Sequence, residues 1–318
     1  MQVSSEVEQV KKVVFFGEIL IDFISTNFTD DLLSAEGFKW HFGGSPANIA
    51  KSLADLGMEV VMVGKVGDDD FGRASVKELH LRGVDVRYVQ IDETAHTSLV
   101  FTTRSKSDQS FVPMRDADFK VKLSDEEISE ILEDASFLHF SSWPVTKEES
   151  RNMLYKFLEE AKEQNVNICF DVNYRKKLWD SPDAVKTLLR LLDGVYLVKP
   201  SVDDSRELFG ERSPEEYVET FHRAGVKNVV LTLGKKGALV SDGKRMEVIP
   251  SMVRKLVNTL GAGDGFWAGL YYGLTNRENI FEASQIGSAI AAFRLEREGA
   301  SDPLPNIQKI LDTYLRRS

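Results

Sequence analysis

Asn258-Thr259-Leu260-Gly261-Ala262-Gly263-Asp264-Gly265-Phe266 is a glycine-rich turn that runs straight into a long apolar stretch, with one carboxylate at the junction. Small residues at 261–263 let several backbone N–H groups converge on one point, because no side chain stands in the way. The start of the following helix adds a partial positive charge and N–H donors without intrahelical partners, which together suit an anion. A carboxylate beside such a hole has a purpose if Asp264 takes a proton from a nucleophile that attacks the anion. The plainer alternative is an Asp at the start of a helix after a glycine turn.

Outward from this segment, the 318-residue chain alternates short apolar, β-branched runs with amphipathic helical stretches. The runs Val13–Phe16, Val60–Gly64, Phe137–Phe140, Asn167–Val172, Gly194–Val198 and Asn228–Leu233 predict strands. Ala47–Asp55, Lys147–Gln164, Ala184–Leu191 and Pro214–Ala224 predict helices. Strands that are apolar throughout and separated by helices imply a parallel sheet covered on both faces. Thr146 and Glu149 have capping-box spacing at the start of the second of these helices. The C-terminal third reads as helical from Ala262 through Leu295, with a last helix from about Asn306. Residues 19–42 and 87–115 break the rhythm with shorter alternating runs, Val86–Ile91, Ser98–Thr103 and Ser110–Pro113. They predict a small sheet exposed on one face, a lid over the main domain of residues 11–318.

Composition narrows the partners. At 42% apolar and 28% charged the chain is ordinary for a globular protein, and a net charge of -10 argues against nucleic acid. Its densest basic patches, Arg175-Lys176-Lys177 and Arg316-Arg317, are too short for a binding stripe. The lone cysteine, Cys169, sits in the apolar run Ile168-Cys169-Phe170 and reads as core filler in a reducing, cytoplasmic setting. No apolar run reaches the roughly 18 residues of a membrane span. His41, His80, His96, His139 and His222 are scattered without metal or triad spacing.

There is no Gly-x-x-x-x-Gly-Lys-Ser/Thr loop, and no Gly-x-Gly-x-x-Gly opens the first helix after a strand. A second glycine-rich helix start does occur, Phe42-Gly43-Gly44-Ser45-Pro46-Ala47-Asn48-Ile49-Ala50, with Pro46 suited to a first helical turn. Asn is a poor interior helix residue, so Asn48 invites a ligand for its amide. Asp22 lies upstream in Gly17-Glu18-Ile19-Leu20-Ile21-Asp22-Phe23. An acceptor-only carboxylate and a two-way amide near exposed N–H groups form a suitable set for adjacent sugar hydroxyls.

With both glycine-rich starts in view, the chain resembles the ribokinase-like (PfkB-type) carbohydrate kinases. Gly43-Gly44-Ser45-Pro46-Ala47-Asn48 is similar to the family's N-terminal signature and Asn258-Thr259-Leu260-Gly261-Ala262-Gly263-Asp264 to its C-terminal one. Intermediate markers fall in family order: Gly64-Lys65-Val66-Gly67-Asp68-Asp69, Phe170-Asp171-Val172-Asn173-Tyr174-Arg175, Lys199-Pro200-Ser201 and Thr232-Leu233-Gly234-Lys235-Lys236-Gly237-Ala238.

The resemblance implies a doubly wound, mainly parallel α/β sheet flanked by helices, a small β lid, and transfer of phosphate from ATP with Mg2+ to a sugar hydroxyl. It implies Asp264 as base and the amides of Gly261, Ala262 and Gly263 as anion hole. It assigns Asp22, Gly43, Gly44 and Asn48 to the sugar, and Lys199, Ser201, Thr232, Gly234 and Gly237 to the nucleotide. Ser201 and Asp204 stand where the family has Asn-x-x-Glu, so Asp204 is expected to serve the magnesium through water, and Asn258 replaces a usual acid. The resemblance also implies that two copies can pair through their lids.

Within the family, the segments around Gly17–Ile24 and Gly44–Asn48 are most similar to bacterial fructokinases, as is Phe111-Val112-Pro113-Met114-Arg115-Asp116-Ala117-Asp118. Asp171-Val172-Asn173-Tyr174-Arg175 is shared in appearance with 2-keto-3-deoxygluconate kinases. A keto acid needs a cation at the sugar end, for which Arg104, Arg115 and Arg175 are candidates, the last two also assigned to substrate here. A sugar-binding regulator without catalysis is the alternative outside enzymes, and a vitamin kinase the alternative within the superfamily.

Overall fold

The computed structural model describes residues 12–105, 110–179, 183–257, 261–297 and 302–316. Asn258, Thr259 and Leu260 of the opening segment lie outside them, as does Arg317.

In chain order the elements are β1 (Lys12–Phe16), β2 (Leu20–Phe28), β3 (Phe38–Gly43), α1 (Ser45–Asp55), β4 (Val60–Gly67), α2 (Asp70–Leu81), β5 (Val89–Asp92), β6 (Leu99–Arg104) and β7 (Phe111–Met114). There follow α3 (Asp125–Leu132), β8 (Ala135–Ser141), α4 (Glu148–Glu163), β9 (Asn167–Asp171), α5 (Ala184–Leu191), β10 (Leu197–Lys199), α6 (Val202–Phe209), α7 (Pro214–Arg223) and β11 (Asn228–Thr232). The chain closes with β12 (Ala238–Ser241), β13 (Met246–Ile249), α8 (Ala262–Thr275), α9 (Ile280–Leu295) and α10 (Ile307–Tyr314).

Nine strands form the main sheet in the order β13-β12-β11-β10-β9-β8-β1-β4-β5. It is parallel from β11 to β5, with β12 and β13 turned antiparallel at one edge. The continuous apolar runs are explained by two cores on opposite faces. Val14, Phe16, Leu138, Phe140, Ile168 and Phe170 pack on one side, while Val13, Phe15, Phe137, Cys169 and Leu197 pack on the other. Successive residues of a strand point to opposite faces, so both must be apolar here. Trp267, Leu270 and Tyr271 of α8 fill the second core, which seats the helix that carries Asp264 on the sheet.

A separate four-stranded sheet, β3-β2-β6-β7, is the small sheet of the doubly wound plus lid expectation. Its root packs through Leu20 and Val100 against Trp143 and Leu178. The segment Val86–Ile91 does not join it: β5 pairs parallel with β4 as the far edge of the main sheet. Two other expectations shift. Gly194 has φ 77°, which puts a turn before β10, and the C-terminal helix breaks into α8 and α9 between 275 and 280.

The capping box expected at Thr146 and Glu149 does not form. Lys147 occupies the N-cap and its side chain does not cap the helix, and the Thr146 hydroxyl donates to the Trp143 carbonyl, 2.8 Å away, while accepting from Arg115.

Candidate active site

Four strands end side by side with polar residues at their C-terminal tips: Ser141 of β8, Asp171 of β9, Lys199 of β10 and Thr232 of β11. In open α/β sheets this edge is where ligands bind. Two helices start over it. Gly44, with φ 93°, turns the chain out of β3 into α1, and Gly261, with φ 75°, turns it into α8. Each position needs the left-handed region that glycine enters without strain.

Asp264 lies in the first turn of α8, whose opening N–H groups have no intrahelical acceptor. Its Oδ1 accepts a hydrogen bond from the Ser45 hydroxyl at 2.8 Å, and the Asn48 amide is a further partner. The Oδ1 of Asn48 itself has no hydrogen-bond partner among the described residues, although it is shut off from solvent. An orphaned acceptor of this kind is costly unless a ligand fills it.

Asp22, the third residue of β2, lies near Asp264. Each carboxylate keeps a partly exposed edge, yet protein surrounds both. Burial pushes Asp264 up to about 6, and burial with the neighbouring charge of Asp264 pushes Asp22 up to about 7. The backbone of Gly43 runs directly against Asp22, since a Cβ there would sit 2.2 Å from Oδ2.

Behind this pair is a buried ion pair, with Lys199 Nζ 3.2 Å from Asp171 Oδ1. The same ammonium lies 3.7 Å from where a Cβ on Gly263 would sit, so the cation borders the glycine turn. Glu18 is buried beneath α1, accepting from Ser45 N–H at 3.2 Å and from the Ser141 hydroxyl at 3.3 Å; burial raises it to about 8. Lys51, one turn beyond Asn48, is also buried, its ammonium 5.7 Å from the Phe42 ring centre and lowered by burial to about 8.

The expected site residues therefore divide. Asp22, Gly43, Gly44, Asn48 and Asp264 come together around the start of α1. Gly261, Ala262 and Gly263 line the start of α8, next to Lys199. Thr232 pairs with Ser201 across the sheet edge, and Gly234 and Gly237 form the tight link from β11 to β12.

Asp204 is held at the start of α6 by three hydrogen bonds. Its Oδ1 accepts from Tyr174 N–H at 2.9 Å and its Oδ2 from the N–H and hydroxyl of Ser201, which makes it half of the capping box that starts α6. Arg115 is engaged as well. Its buried guanidinium donates to Asp118, to the Trp143 carbonyl and to Thr146, tying the root of the small sheet to the core instead of presenting a free cation. Arg175 donates to the Tyr174 carbonyl and lies 3.8 Å from Asp204, so it belongs with the Ser201 group and not with Asp22. Arg104 stacks on Phe28, 4.7 Å from its ring centre.

Sequence reasoning assigned no role to Ser45, Asp171, Glu18 or Lys51. Asp171 carried a usable signal, an acid closing a wholly apolar strand run. The other three gain meaning only from partners distant in sequence.

The raised carboxylates make opposite predictions for activity and stability. A base at about 6 with a neighbour at about 7 is protonated at acid pH, so kcat/KM is expected to rise with pH through that window. These folded values lie above the unfolded ones, so the stability they contribute is present at acid pH. It is lost as pH rises through about 6 to 8. Melting temperature of the free protein should fall from pH 5 to pH 8.5, and Glu18→Gln should flatten the alkaline part of that fall. A fall of the same size in the variant would mean that Glu18 is not held protonated.

A family model described as pfkB family carbohydrate kinase matches residues 10–307. An ATP-dependent 6-phosphofructokinase from Thermoanaerobacterium thermosaccharolyticum is 37% identical over 95% of this chain and 93% of its own. Among solved structures, the fructokinase of Halothermothrix orenii is 35% identical, with a TM-score of 0.78 over 87% of this chain and 96% of its own. A Vibrio cholerae fructokinase, solved with fructose, ADP and calcium ion, is 27% identical with a TM-score of 0.82, covering 97% of this chain and 100% of its own. With two glycine-turned helix starts meeting over the ends of a parallel sheet, the chain belongs to the pfkB family of carbohydrate kinases, and it is a sugar kinase.

Proposed function

We propose that the protein transfers the terminal phosphoryl group of MgATP to a hydroxyl of fructose, giving fructose 6-phosphate. The observation that carries the chemistry is Asp264 at the start of α8, beside the orphaned Asn48 acceptor and facing Asp22. A raised carboxylate titrates close to neutrality, where a general base works best.

The sugar hydroxyl gives its proton to Asp264 as its oxygen attacks phosphorus. The first-turn N–H groups of α8 and the Lys199 ammonium face the charge on the transferring group, and most of the rate comes from positioning and electrostatics. Asp22 and Asn48 hold neighbouring hydroxyls. Among the described residues no cluster of three or more His, Cys, Asp or Glu forms a metal cage, and both oxygens of Asp204 are engaged. Magnesium would be held mainly by phosphate and water, with Asp204 meeting it through water.

Fructose is favoured over a keto acid because two of the three arginines that could meet a carboxylate are engaged elsewhere: Arg115 with Asp118, and Arg175 at Tyr174 and Asp204. A phosphorylated ketose is the second reading, favoured by the 37% identity to a 6-phosphofructokinase. Trp40 and Met114 are exposed on one face of the small sheet, which suits the pairing of two lids.

An ADP-release assay with MgATP against fructose, fructose 6-phosphate, 2-keto-3-deoxygluconate, ribose and glucose tests the assignment. Turnover on fructose far above the others is expected. Turnover confined to fructose 6-phosphate moves the assignment to the second reading, and ATP binding without turnover on any of the five would sink both.

A further inference from the structure

Ser45 is the first residue of α1, one past the N-cap position at which a serine hydroxyl would cap the helix's own amides. The N-cap is Gly44, without any side-chain bond, and the Ser45 hydroxyl instead reaches Asp264, 219 residues away, at 2.8 Å. It also lies 3.4 Å from Asp171 Oδ2, whose other oxygen is paired with Lys199. Its backbone N–H donates to Glu18, which fixes where the residue sits. One hydroxyl thus stands between two carboxylates, one on the acceptor side of the site and one on the nucleotide side.

A hydroxyl has one proton and can donate to one carboxylate at a time. While Asp264 is ionised, the shorter contact takes that proton. Once Asp264 has gained the sugar's proton it becomes a donor itself, and the Ser45 oxygen can accept from it while its own O–H turns to Asp171.

We propose that Ser45 is a positioning residue for the base, a hydroxyl that orients ionised Asp264, reorients toward Asp171 after proton uptake, and so couples the base to the Asp171–Lys199 pair. This rests on the phosphoryl-transfer reading above. The balance is simple. The sugar O–H bond breaks as the new O–P bond forms, ADP leaves with the electron pair of the broken P–O bond, and the proton rests on Asp264 until product leaves. Ser45 keeps its own proton throughout.

The charges that face Asp264 are Asp22 from β2, Lys51 from α1, Asp171 from β9, Lys199 from β10 and Arg294 from α9. All remain when the hydroxyl is removed, so a change on its removal belongs to Ser45. The comparison is between the wild type, Ser45→Ala and Ser45→Thr, with Asp264→Asn to assign the signal. Steady-state kinetics is joined by a carboxyl 13C NMR titration of the unliganded protein, which needs no sugar. In Ser45→Ala, kcat should fall ~10-fold with sugar KM within about threefold, because one hydrogen bond to the ionised base is lost. The Asp264 midpoint should move up by about half a pH unit or more, and Ser45→Thr should restore both. An Asp264 midpoint that stays put in Ser45→Ala overturns the inference, whatever happens to kcat or melting temperature. Absence of sugar-dependent turnover in the wild type overturns the phosphoryl-transfer reading instead, and the titration still decides whether Ser45 governs Asp264.

Discussion

Asp264→Asn is expected to lower kcat about 10²–10⁴-fold, the range a positioned general base contributes, while the protein folds as before. The amide has nearly the same shape as the carboxylate. It can still accept from Ser45 through its oxygen, so the 2.8 Å contact that orients the group survives. It cannot accept a proton. The start of α8 keeps its N–H groups and Lys199 keeps its place beside the glycine turn, so binding of MgATP should change little. The charge lost from beside Asp22 removes a repulsion, so the variant's melting temperature at pH 8 should equal or exceed that of the wild type. Single-turnover measurement separates the chemical step from product release. Near-normal turnover in a correctly folded variant would show that the sugar hydroxyl loses its proton elsewhere.

How far the sequence reached follows from how local each feature is. Strand runs that are apolar on both faces were legible because a parallel sheet between two helical layers leaves no polar face, and Val13–Phe16 and Phe137–Phe140 lie within β1 and β8. The glycine turns were legible because positive φ at Gly44 and Gly261 admits few residues. Other local signals were present but unused: Ser124 with Glu127 and Asn279 with Glu282 form capping boxes that mark the starts of α3 and α9.

Thr146 with Glu149 has the same spacing and forms none. There a tertiary demand, the donors of Arg115, takes the hydroxyl that local pattern gives to the helix. Asp204 is the converse case. Read through the resemblance it serves a metal, and the local pattern of Ser201 with Asp204 also forms the capping box of α6 through Oδ2, while Oδ1 accepts from Tyr174 N–H. Ser45, Glu18 and Asp171 could not be joined from sequence, because the contacts that define them run between the β1–β2 link, α1, β9 and α8. Composition and spacing carry no information about such meetings.

Gly43→Ala is expected to raise the KM for the sugar by ~10–100-fold, the loss of one or two hydrogen bonds from a charged acceptor, with a much smaller change in the KM for MgATP. Gly43 closes β3 opposite Leu20, and its backbone does not occupy the left-handed region, so alanine fits its conformation. The obstacle is space. A Cβ would stand 2.2 Å from Asp22 Oδ2 and 2.7 Å from the Leu20 side chain. Leu20 can shift at its tip, and Asp22 can relieve the clash by swinging its carboxyl away, which is the movement that takes it from the sugar. The cost therefore falls on recognition more than on folding. Gly44→Ala differs, because its Cβ would meet the Glu18 backbone carbonyl at 2.3 Å with φ at 93°, and it should lose stability outright. Gly57→Ala serves as control: φ is 80° with nothing within 4 Å, so stability drops modestly while both KM values hold. Asp22→Asn tests the same assignment without adding an atom, by removing the charged acceptor in place. Should both Gly43→Ala and Asp22→Asn fold and keep the wild-type sugar KM, Asp22 does not hold the sugar, and the acceptor lies elsewhere along the start of α1.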